Sequence, residues 1–179
     1  LMDLPQLPLR CEMPDLEPFA YPLPWSAALA GRRVLVLHPF VNSLSHQWSR
    51  RESLFPGRSV LPDFEPIFIS TPMTIKGANH RFTSWTDAFE RTWRQIQNLA
   101  FDVALVGCGA YGLPLAARIR RMDRTAIHLG GSLQLMFGVF GQRWERFASQ
   151  RSLMNDAWIR PLDSDRPNNY QAVENGCYW

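Results

Sequence analysis

The chain of 179 residues is 46% hydrophobic and 20% charged, with a mean hydropathy of −0.21. This composition is typical of one globular domain and excludes an intrinsically disordered chain. Every apolar run is shorter than the ~20 residues that a membrane-spanning helix needs, so no membrane span is expected. The net charge of +3 comes from scattered arginines, and no nucleic-acid-binding module accompanies them, so no nucleic-acid partner is expected.

Cysteine content and the first residues bear on the compartment. The three cysteines, Cys11, Cys108 and Cys177, show no C-x-x-C spacing, so neither a disulfide framework nor a zinc site is expected. The amino terminus lacks the basic and apolar layout of a signal peptide. These features predict a reducing, cytoplasmic location. The sequence begins at Leu1 rather than Met, so a fragment or a processed chain is one expectation.

In chain order, residues 1–25 form a proline-rich segment without periodicity, which predicts an extended arm ahead of one domain at 26–179. Four apolar runs then predict strands at 33–38, 65–70, 102–107 and 124–129. The intervening patterns predict helices at 41–54, 85–100, 113–122 and 132–138. Asn42 or Ser43 is the expected cap of the first helix, and Ser84 of the second. An irregular carboxy-terminal tail follows.

This alternation predicts an α/β fold: a Rossmann-like parallel sheet of about four strands, with helices on both faces. Ligands of such sheets bind beyond the carboxyl ends of the strands. The predicted strand ends are His38-Pro39-Phe40, Ser70-Thr71-Pro72, the turn 107–112, and His128 with Gly130-Gly131. These residues are therefore the first candidates for a binding site.

The turn Gly107-Cys-Gly-Ala-Tyr-Gly112 has the G-x-G-x-x-G spacing of a dinucleotide-binding turn, between a strand and a helix. An NAD site also needs an acidic residue at the end of the next strand, where this chain has His128. The pattern therefore disfavours NAD and favours a phosphate or diphosphate bound by free backbone N–H groups. A second interpretation is that Gly109 and Gly112 serve close packing between strand and helix.

The remaining candidates have two interpretations each. His128 is either a base or diphosphate ligand, or a packed histidine. Ser43, Gln47 and Arg51 follow one another at helical spacing, so they either line the site or form an ordinary polar face. Asp15-Leu-Glu17 spells D-x-E, a triplet that some metal-dependent glycosyltransferases use, but it lies in the proline-rich arm.

Several stretches together resemble a known family. GRRVLVLHPF, FDVALVGCGAYGLPLAARIRRM, AIHLGGSLQLMFGVFGQRW and ENGCYW are similar to bacterial glycosyltransferases of the GT-D type, and the resemblance runs from about Leu16 to Trp179. It implies a Rossmann-like domain that transfers sugar from a nucleotide-sugar donor, taken as a UDP-sugar, to a glycan acceptor in polysaccharide biosynthesis. In such a domain the glycine turn and His128 to Gly131 are expected to contact the donor diphosphate. Together with the strand-end and helix-face candidates, the expected donor-binding residues are His38, Phe40, Ser43, Gln47, Arg51, Gly107, Gly109, Tyr111, Gly112, His128, Gly130 and Gly131.

One departure from the family concerns metal. Members carry an upstream acidic D-G-E-type triplet, and this chain starts after the place where that triplet would lie. A divalent cation, Mn²⁺ or Mg²⁺, is therefore expected only with an acidic site supplied from outside this chain. Two functions stay open: a glycosyltransferase domain, and a non-catalytic nucleotide-sugar binding or assembly module. A homo-oligomer is an open alternative for the assembly.

Overall fold

The computed structural model describes residues 12–74 and 81–179, and a four-stranded parallel sheet lies at its centre. The strands are β1 (Arg33–His38), β2 (Glu65–Ser70), β3 (Val103–Val106) and β4 (Thr125–His128). Their order across the sheet is β2-β1-β3-β4. In the register, Leu35 of β1 lies opposite Ile67 of β2 and Ala104 of β3. The predicted parallel α/β sheet is confirmed, with each strand within a residue of its predicted bounds.

Burial on both faces explains why the strands read as continuous apolar runs. Val34 and Val36 of β1 pack into the core on one face of the sheet, and Leu35 and Leu37 pack into the core on the other. All four side chains are inaccessible to solvent. A strand covered on both faces gains from apolar residues at every position, so it shows no alternation of apolar and polar residues.

The described residues contain seven α-helices: α1 (Val41–Trp48), α2 (Arg51–Leu54), α3 (Trp85–Ile96), α4 (Gly112–Arg120), α5 (Ser132–Met136), α6 (Gln142–Glu145) and α7 (Ala148–Arg151). Leu44 of α1 and Leu133 of α5 join the core beside Val34 and Val36. The apolar faces of α3 and α4 fill the opposite core. The Ser84 side chain accepts a hydrogen bond from the Asp87 N–H, which confirms Ser84 as the predicted cap of α3.

The first helix differs from its prediction. The predicted helix 41–54 is interrupted after Trp48, and α2 starts separately at Arg51. Neither Asn42 nor Ser43 caps α1, because Phe40 occupies the cap position without a side-chain bond. Asp165, distant in sequence, does so instead: its carboxylate accepts hydrogen bonds from the Ser43 N–H at 2.6 Å and from Asn42 Nδ2 at 2.8 Å. The negative charge also suits the amino end of a helix.

The segments on either side of the sheet domain pack onto it. Of the predicted arm, residues 12–25 are described; they contain short 3₁₀ turns, and Phe19 is buried with its ring stacked on Phe55. After α5, the chain continues through a bridge between Val139 and Ile159 and through further 3₁₀ turns to a buried Trp179. Within residues 12–74 and 81–179, no helix combines the length and the apolar character that crossing a bilayer requires.

Candidate functional site

A cavity at the carboxyl ends of the strands is the candidate site. It has a volume of about 440 Å³ and lies over the ends of β1, β3 and β4. The chain passes from β1 to β2 on one side and then to β3 and β4 on the other, so the strand order reverses between β1 and β3. Ligands of open α/β sheets bind at such reversal points. We call this space the β1–β3 cavity.

Most of the residues that the sequence assigns to nucleotide binding line the β1–β3 cavity. They come from the ends of three strands that lie far apart in the chain, and the parallel sheet brings them to one edge. They are His38, Phe40, Gly107, Gly109, Tyr111, His128, Gly130 and Gly131. Of the predicted Ser70-Thr71-Pro72 strand end, Pro72 reaches this cavity, whereas Ser70 and Thr71 line an adjoining one.

The glycine turn after β3 presents unused backbone donors. The N–H groups of Cys108, Gly109 and Ala110 take no part in main-chain hydrogen bonds among the described residues. Gly109 has a φ of +54°, a conformation that L side chains rarely adopt, and a Cβ built on it would meet nothing within 4 Å. Gly109 is therefore needed for its backbone conformation, and the space beside it is open.

The other two glycines of the turn are packing glycines. A Cβ on Gly107 would lie 2.6 Å from the Gly130 carbonyl oxygen, and a Cβ on Gly112 would lie 2.3 Å from His128 Nε2. Gly112 begins α4, so its missing side chain lets the helix approach the end of β4. The two interpretations of this turn thus apply to different glycines: close packing at Gly107 and Gly112, and an open space at Gly109. Gly112 does not line the cavity.

Replacing Gly112 by alanine should reveal its contact with His128. The added methyl group displaces the His128 ring, so we expect a loss of about 2 kcal/mol in the free energy of unfolding. In a His128→Ala background the same change should be neutral or stabilising by about 0.5–1 kcal/mol, because alanine is favoured over glycine in a helix. Urea unfolding of the four proteins in this cycle measures the coupling. Equal costs in both backgrounds would contradict the contact.

Both cavity histidines are held in the neutral form by burial. His38 is 4% exposed, and burial lowers its pKa to about 3. Its Nδ1 accepts a hydrogen bond of 2.9 Å from the Phe40 N–H, so the proton of the neutral ring lies on Nε2. Burial also lowers the pKa of His128, whose Nε2 is enclosed and has no hydrogen-bond partner in the part of the chain that the structure describes. At neutral pH these rings are uncharged hydrogen-bonding groups rather than cations.

The thiol in the glycine turn is not a nucleophile. Cys108 is buried, and desolvation raises its pKa to about 12. Because the thiolate is the reactive form, this thiol is unreactive at neutral pH. The turn therefore offers backbone donors and an aromatic side chain, Tyr111, whose hydroxyl forms a 2.7 Å hydrogen bond with Thr74 Oγ1.

The carboxy-terminal tail supplies a wall of the cavity that the sequence patterns did not predict. Val173, Glu174, Tyr178 and Trp179 line it. Glu174, Asn175 and Gly176 have consecutive positive φ angles of 43°, 57° and 76°, so the chain makes a left-handed turn at the rim. The Asn-Gly pair was a local signal for a turn, but nothing local to the tail indicated where it would pack.

Contacts distant in sequence hold this tail. Gln134 Nε2 donates to the Tyr178 main-chain oxygen at 2.9 Å, and an Arg160 amino group donates to the Trp179 main-chain oxygen at 2.9 Å. Gly141 lies so close to the tail that an added Cβ would be 2.3 Å from the Tyr178 carbonyl carbon. The Trp179 ring packs 5.2 Å from the Phe40 ring between centroids.

Ser43, Gln47 and Arg51, the predicted polar face of the first helix, lie outside the β1–β3 cavity. The Ser43 hydroxyl donates to Asp165, and Gln47 Nε2 donates to the Gly138 and Ala157 carbonyl oxygens, so both fully buried side chains bind protein groups. Arg51 lies in α2, where it pairs with Asp63 at 2.9 Å and stacks on Trp48. None of the three lines the β1–β3 cavity as described. The break after Trp48 separates Arg51 from the other two.

The Asp15-Leu-Glu17 triplet is engaged within the protein. Asp15 accepts hydrogen bonds from the Tyr21 hydroxyl and the Glu12 N–H, whereas Glu17 accepts one from the Ser132 hydroxyl. Burial raises the pKa of Glu17. Across residues 12–74 and 81–179, no three His, Cys, Asp or Glu side chains form a group that could hold a metal ion.

Comparisons with known proteins give no function for the β1–β3 cavity. The functional assignment therefore rests on the residues that line the β1–β3 cavity. No family model, curated protein or solved structure matches the chain.

Proposed function

We propose that the β1–β3 cavity binds the nucleoside diphosphate part of a sugar nucleotide, and that this chain is the donor-binding domain of a glycosyltransferase that builds a glycan or polysaccharide. The observation that carries the proposal is the glycine turn at the reversal point of the sheet. Its N–H groups take no part in main-chain hydrogen bonds among the described residues, and they lie beside the open space at Gly109. The sequence resemblance to GT-D glycosyltransferases supports the same function.

A diphosphate suits the electrostatics of the turn. The N–H groups of Cys108, Gly109 and Ala110 precede the amino end of α4, where the helix dipole favours negative charge. Gly130 and Gly131 follow the end of β4 and line the same cavity, and their N–H groups also take no part in main-chain hydrogen bonds among the described residues. A ligand between the two turns can accept hydrogen bonds from both.

The rest of the lining suits a nucleoside and a sugar. The half-buried Tyr178 provides aromatic surface on which a base can stack, and the buried rings of Phe40, Tyr111 and Trp179 make the lining around it apolar. The Nε2–H of His38 is a neutral donor, and a hydroxyl or phosphate oxygen of the ligand can accept a hydrogen bond from it. At the end of β4, where an NAD site requires a carboxylate, this chain has His128, so a nucleoside diphosphate fits better than NAD.

The described lining does not form a site for Mn²⁺ or Mg²⁺. Glu174 is the one carboxylate among the described residues of the cavity wall, and it is paired with Arg143 at 3.6 Å. These cations prefer several oxygen ligands, so Glu174 alone does not meet that preference. Any metal in the reaction would need acidic groups from outside the described residues, as the sequence resemblance also implies.

The lack of several carboxylates in the described lining favours a second candidate function for this chain when it acts alone. A cavity with one carboxylate can bind a sugar nucleotide without cleaving it, so the alternative is a non-catalytic nucleotide-sugar binding or assembly module. Cys108 and Cys177 are free thiols, which suits a reducing compartment, and we place either function in the cytoplasm.

Calorimetric titration with UDP, UDP-sugars, NAD and NADP tests the ligand class. We expect UDP or a UDP-sugar to bind more tightly than either dinucleotide, because the turn offers phosphate donors without a ribose-binding acid. Release of UDP from a bound UDP-sugar, with the sugar passing to water or to an added acceptor, supports the transferase. Binding without turnover is the result expected of the module, and also of a donor-binding domain tested without the acidic groups from outside it. Tighter binding of NAD than of every uridine nucleotide would overturn the proposed ligand.

Gly109→Asn should weaken UDP binding about tenfold or more while leaving a folded protein. Asparagine tolerates a positive φ better than other side chains, and the new side chain enters the space that the diphosphate would occupy. Gly57→Asn is the matched control, because Gly57 has a φ of +73° and open space but lies outside the cavity. Equal UDP affinity in both variants would contradict a diphosphate at this turn.

A further inference from the structure

A second cavity adjoins the first over the ends of β1 and β2. Its volume is about 510 Å³, and α3 and the segment around Asp165 enclose it. Pro39, Pro72 and Met73 line both cavities, so the two spaces share a wall. We call this space the β1–β2 cavity. None of the residues assigned above to the uridine nucleotide accounts for it.

An unsatisfied buried hydroxyl lines the β1–β2 cavity. Thr71 is 4% exposed, and among residues 12–74 and 81–179 its Oγ1 has no hydrogen-bond partner other than the thiol of Cys108. The thiol of Cys108 beside it is too weak a partner to satisfy it. Buried polar groups are nearly always hydrogen-bonded, so a hydroxyl left without a partner beside a cavity points to a ligand atom that completes it.

Arg91 supplies positive charge to the same cavity. Its Nε donates to Asp87 Oδ1 at 2.8 Å, and the hydrogen bonds described for it do not use its two terminal amino groups. Those groups can form a paired contact with a phosphate or carboxylate. Gln95 lies one helical turn further along α3 on the same wall. One side of the cavity therefore carries donors suited to an anion.

The segment after the bridge supplies a hydrogen-bond acceptor to the lining of the same cavity, Asp165. The Asp165 carboxylate is 4% exposed and accepts three hydrogen bonds from Asn42 and Ser43. Its position beside the amino end of α1 fixes it in place. A cavity with a cationic side and a carboxylate side suits a ligand that bears both an anionic group and hydroxyl groups.

We propose that the β1–β2 cavity binds a phosphorylated sugar, with the phosphate on Arg91 and sugar hydroxyls on Thr71, Gln95 and the Asp165 side. The inference rests on the proposed function, because the shared wall places such a sugar next to the sugar nucleotide, as an acceptor would be. Its phosphate can belong to a free sugar phosphate or to the linkage of a longer glycan.

Binding is tested by titrating the full chain with glucose 6-phosphate, mannose 6-phosphate and galactose 1-phosphate, with glucose and inorganic phosphate as partial ligands. We expect at least one sugar phosphate to bind more tightly than glucose or phosphate alone. A phosphodiester, methyl phosphoglucose, tests the linkage source: binding equal to the monoester favours a glycan linkage, and weaker binding favours a free sugar phosphate. No binding by any sugar phosphate or by the diester would overturn the proposal.

Two variants test the residues. Arg91→Gln should weaken sugar phosphate binding about tenfold or more, because it removes a charge-assisted contact. Arg94→Gln is the matched control on the same helix, since Arg94 does not line the cavity. Thr71→Val should weaken binding while raising the unfolding temperature of the free protein, because it removes an unsatisfied buried hydroxyl. A Thr71→Val protein that binds normally, or equal losses for both arginine variants, would refute the assignment.

UDP titration separates this inference from the proposed function. Arg91→Gln should leave UDP affinity unchanged, because Arg91 does not line the β1–β3 cavity. If the parent chain binds a sugar phosphate through Arg91 but binds no uridine nucleotide, the proposed function fails and the second site stands. If the parent chain binds UDP and Arg91→Gln leaves sugar phosphate binding intact, the proposed function stands and the second site fails.

Discussion

Acidification should destabilise this protein through His38, by about 4 kcal/mol between neutral pH and pH 3. Burial lowers the pKa of His38 from 6.5 to about 3, so the folded state keeps the ring neutral over this range. The unfolded state takes up a proton below pH 6.5. Because the unfolded state then binds more protons, stability falls as the pH drops, and the loss is complete near pH 3.

His38→Asn isolates this contribution. The asparagine Oδ1 can accept the hydrogen bond from the Phe40 N–H that His38 Nδ1 accepts now, but the side chain does not titrate. Unfolding by urea across the pH range should therefore show a shallower pH dependence for this variant. His128 contributes to the slope in the same direction, so the difference between parent and variant is the quantity to compare.

Gly141→Ala should cost about 3 kcal/mol of folding free energy and detach the tail wall from the β1–β3 cavity. Gly141 has an extended backbone, with φ −126° and ψ 177°, so alanine meets no conformational penalty there. The cost comes from contact: the new Cβ would lie 2.3 Å and 2.5 Å from the carbonyl carbon and oxygen of Tyr178. Main-chain atoms cannot swing aside as a flexible side chain can.

Thermal unfolding and the near-ultraviolet circular dichroism of the tryptophans measure this effect. The tail carries Trp179, whose buried ring should become exposed in the variant. Gly57→Ala provides a contrast, because it has open space and a positive φ, and should cost only about 1 kcal/mol. An unfolding temperature for Gly141→Ala equal to that of the parent would mean that the tail does not pack here.

The sheet could be predicted from the sequence because each strand carries its own local signal. The run Val34-Leu-Val-Leu37 is apolar at every position, as burial on both faces demands, and glycine or proline marks its ends. The signal for the cap of α3 is equally local, since Ser84 Oγ accepts a hydrogen bond from the N–H of Asp87, three residues later. The parallel order then brought the strand ends to one edge, so most of the cavity residues followed.

The features that sequence reasoning missed depend on contacts between distant residues. Asp165 caps α1 from more than a hundred positions away, and no pattern near Ser43 indicates it. Ser43 and Gln47 show helical spacing like any polar face, yet both side chains turn inward to buried partners. The left-handed turn at Glu174 shows the same limitation. The Asn175-Gly176 pair is a local signal for its conformation, but no local pattern indicates its place on the cavity wall.

The carboxy-terminal residues that line the β1–β3 cavity should show hydrogen exchange that depends on bound ligand. Residues 173–179 are held by 3₁₀ turns and a few distant hydrogen bonds, so they can open locally without unfolding the sheet. A ligand that touches this wall must leave, or lose contacts, before the tail opens. Amide protons of the tail should therefore exchange more slowly as ligand is added, in proportion to its saturation, while those of α7, outside both cavities, keep their rates.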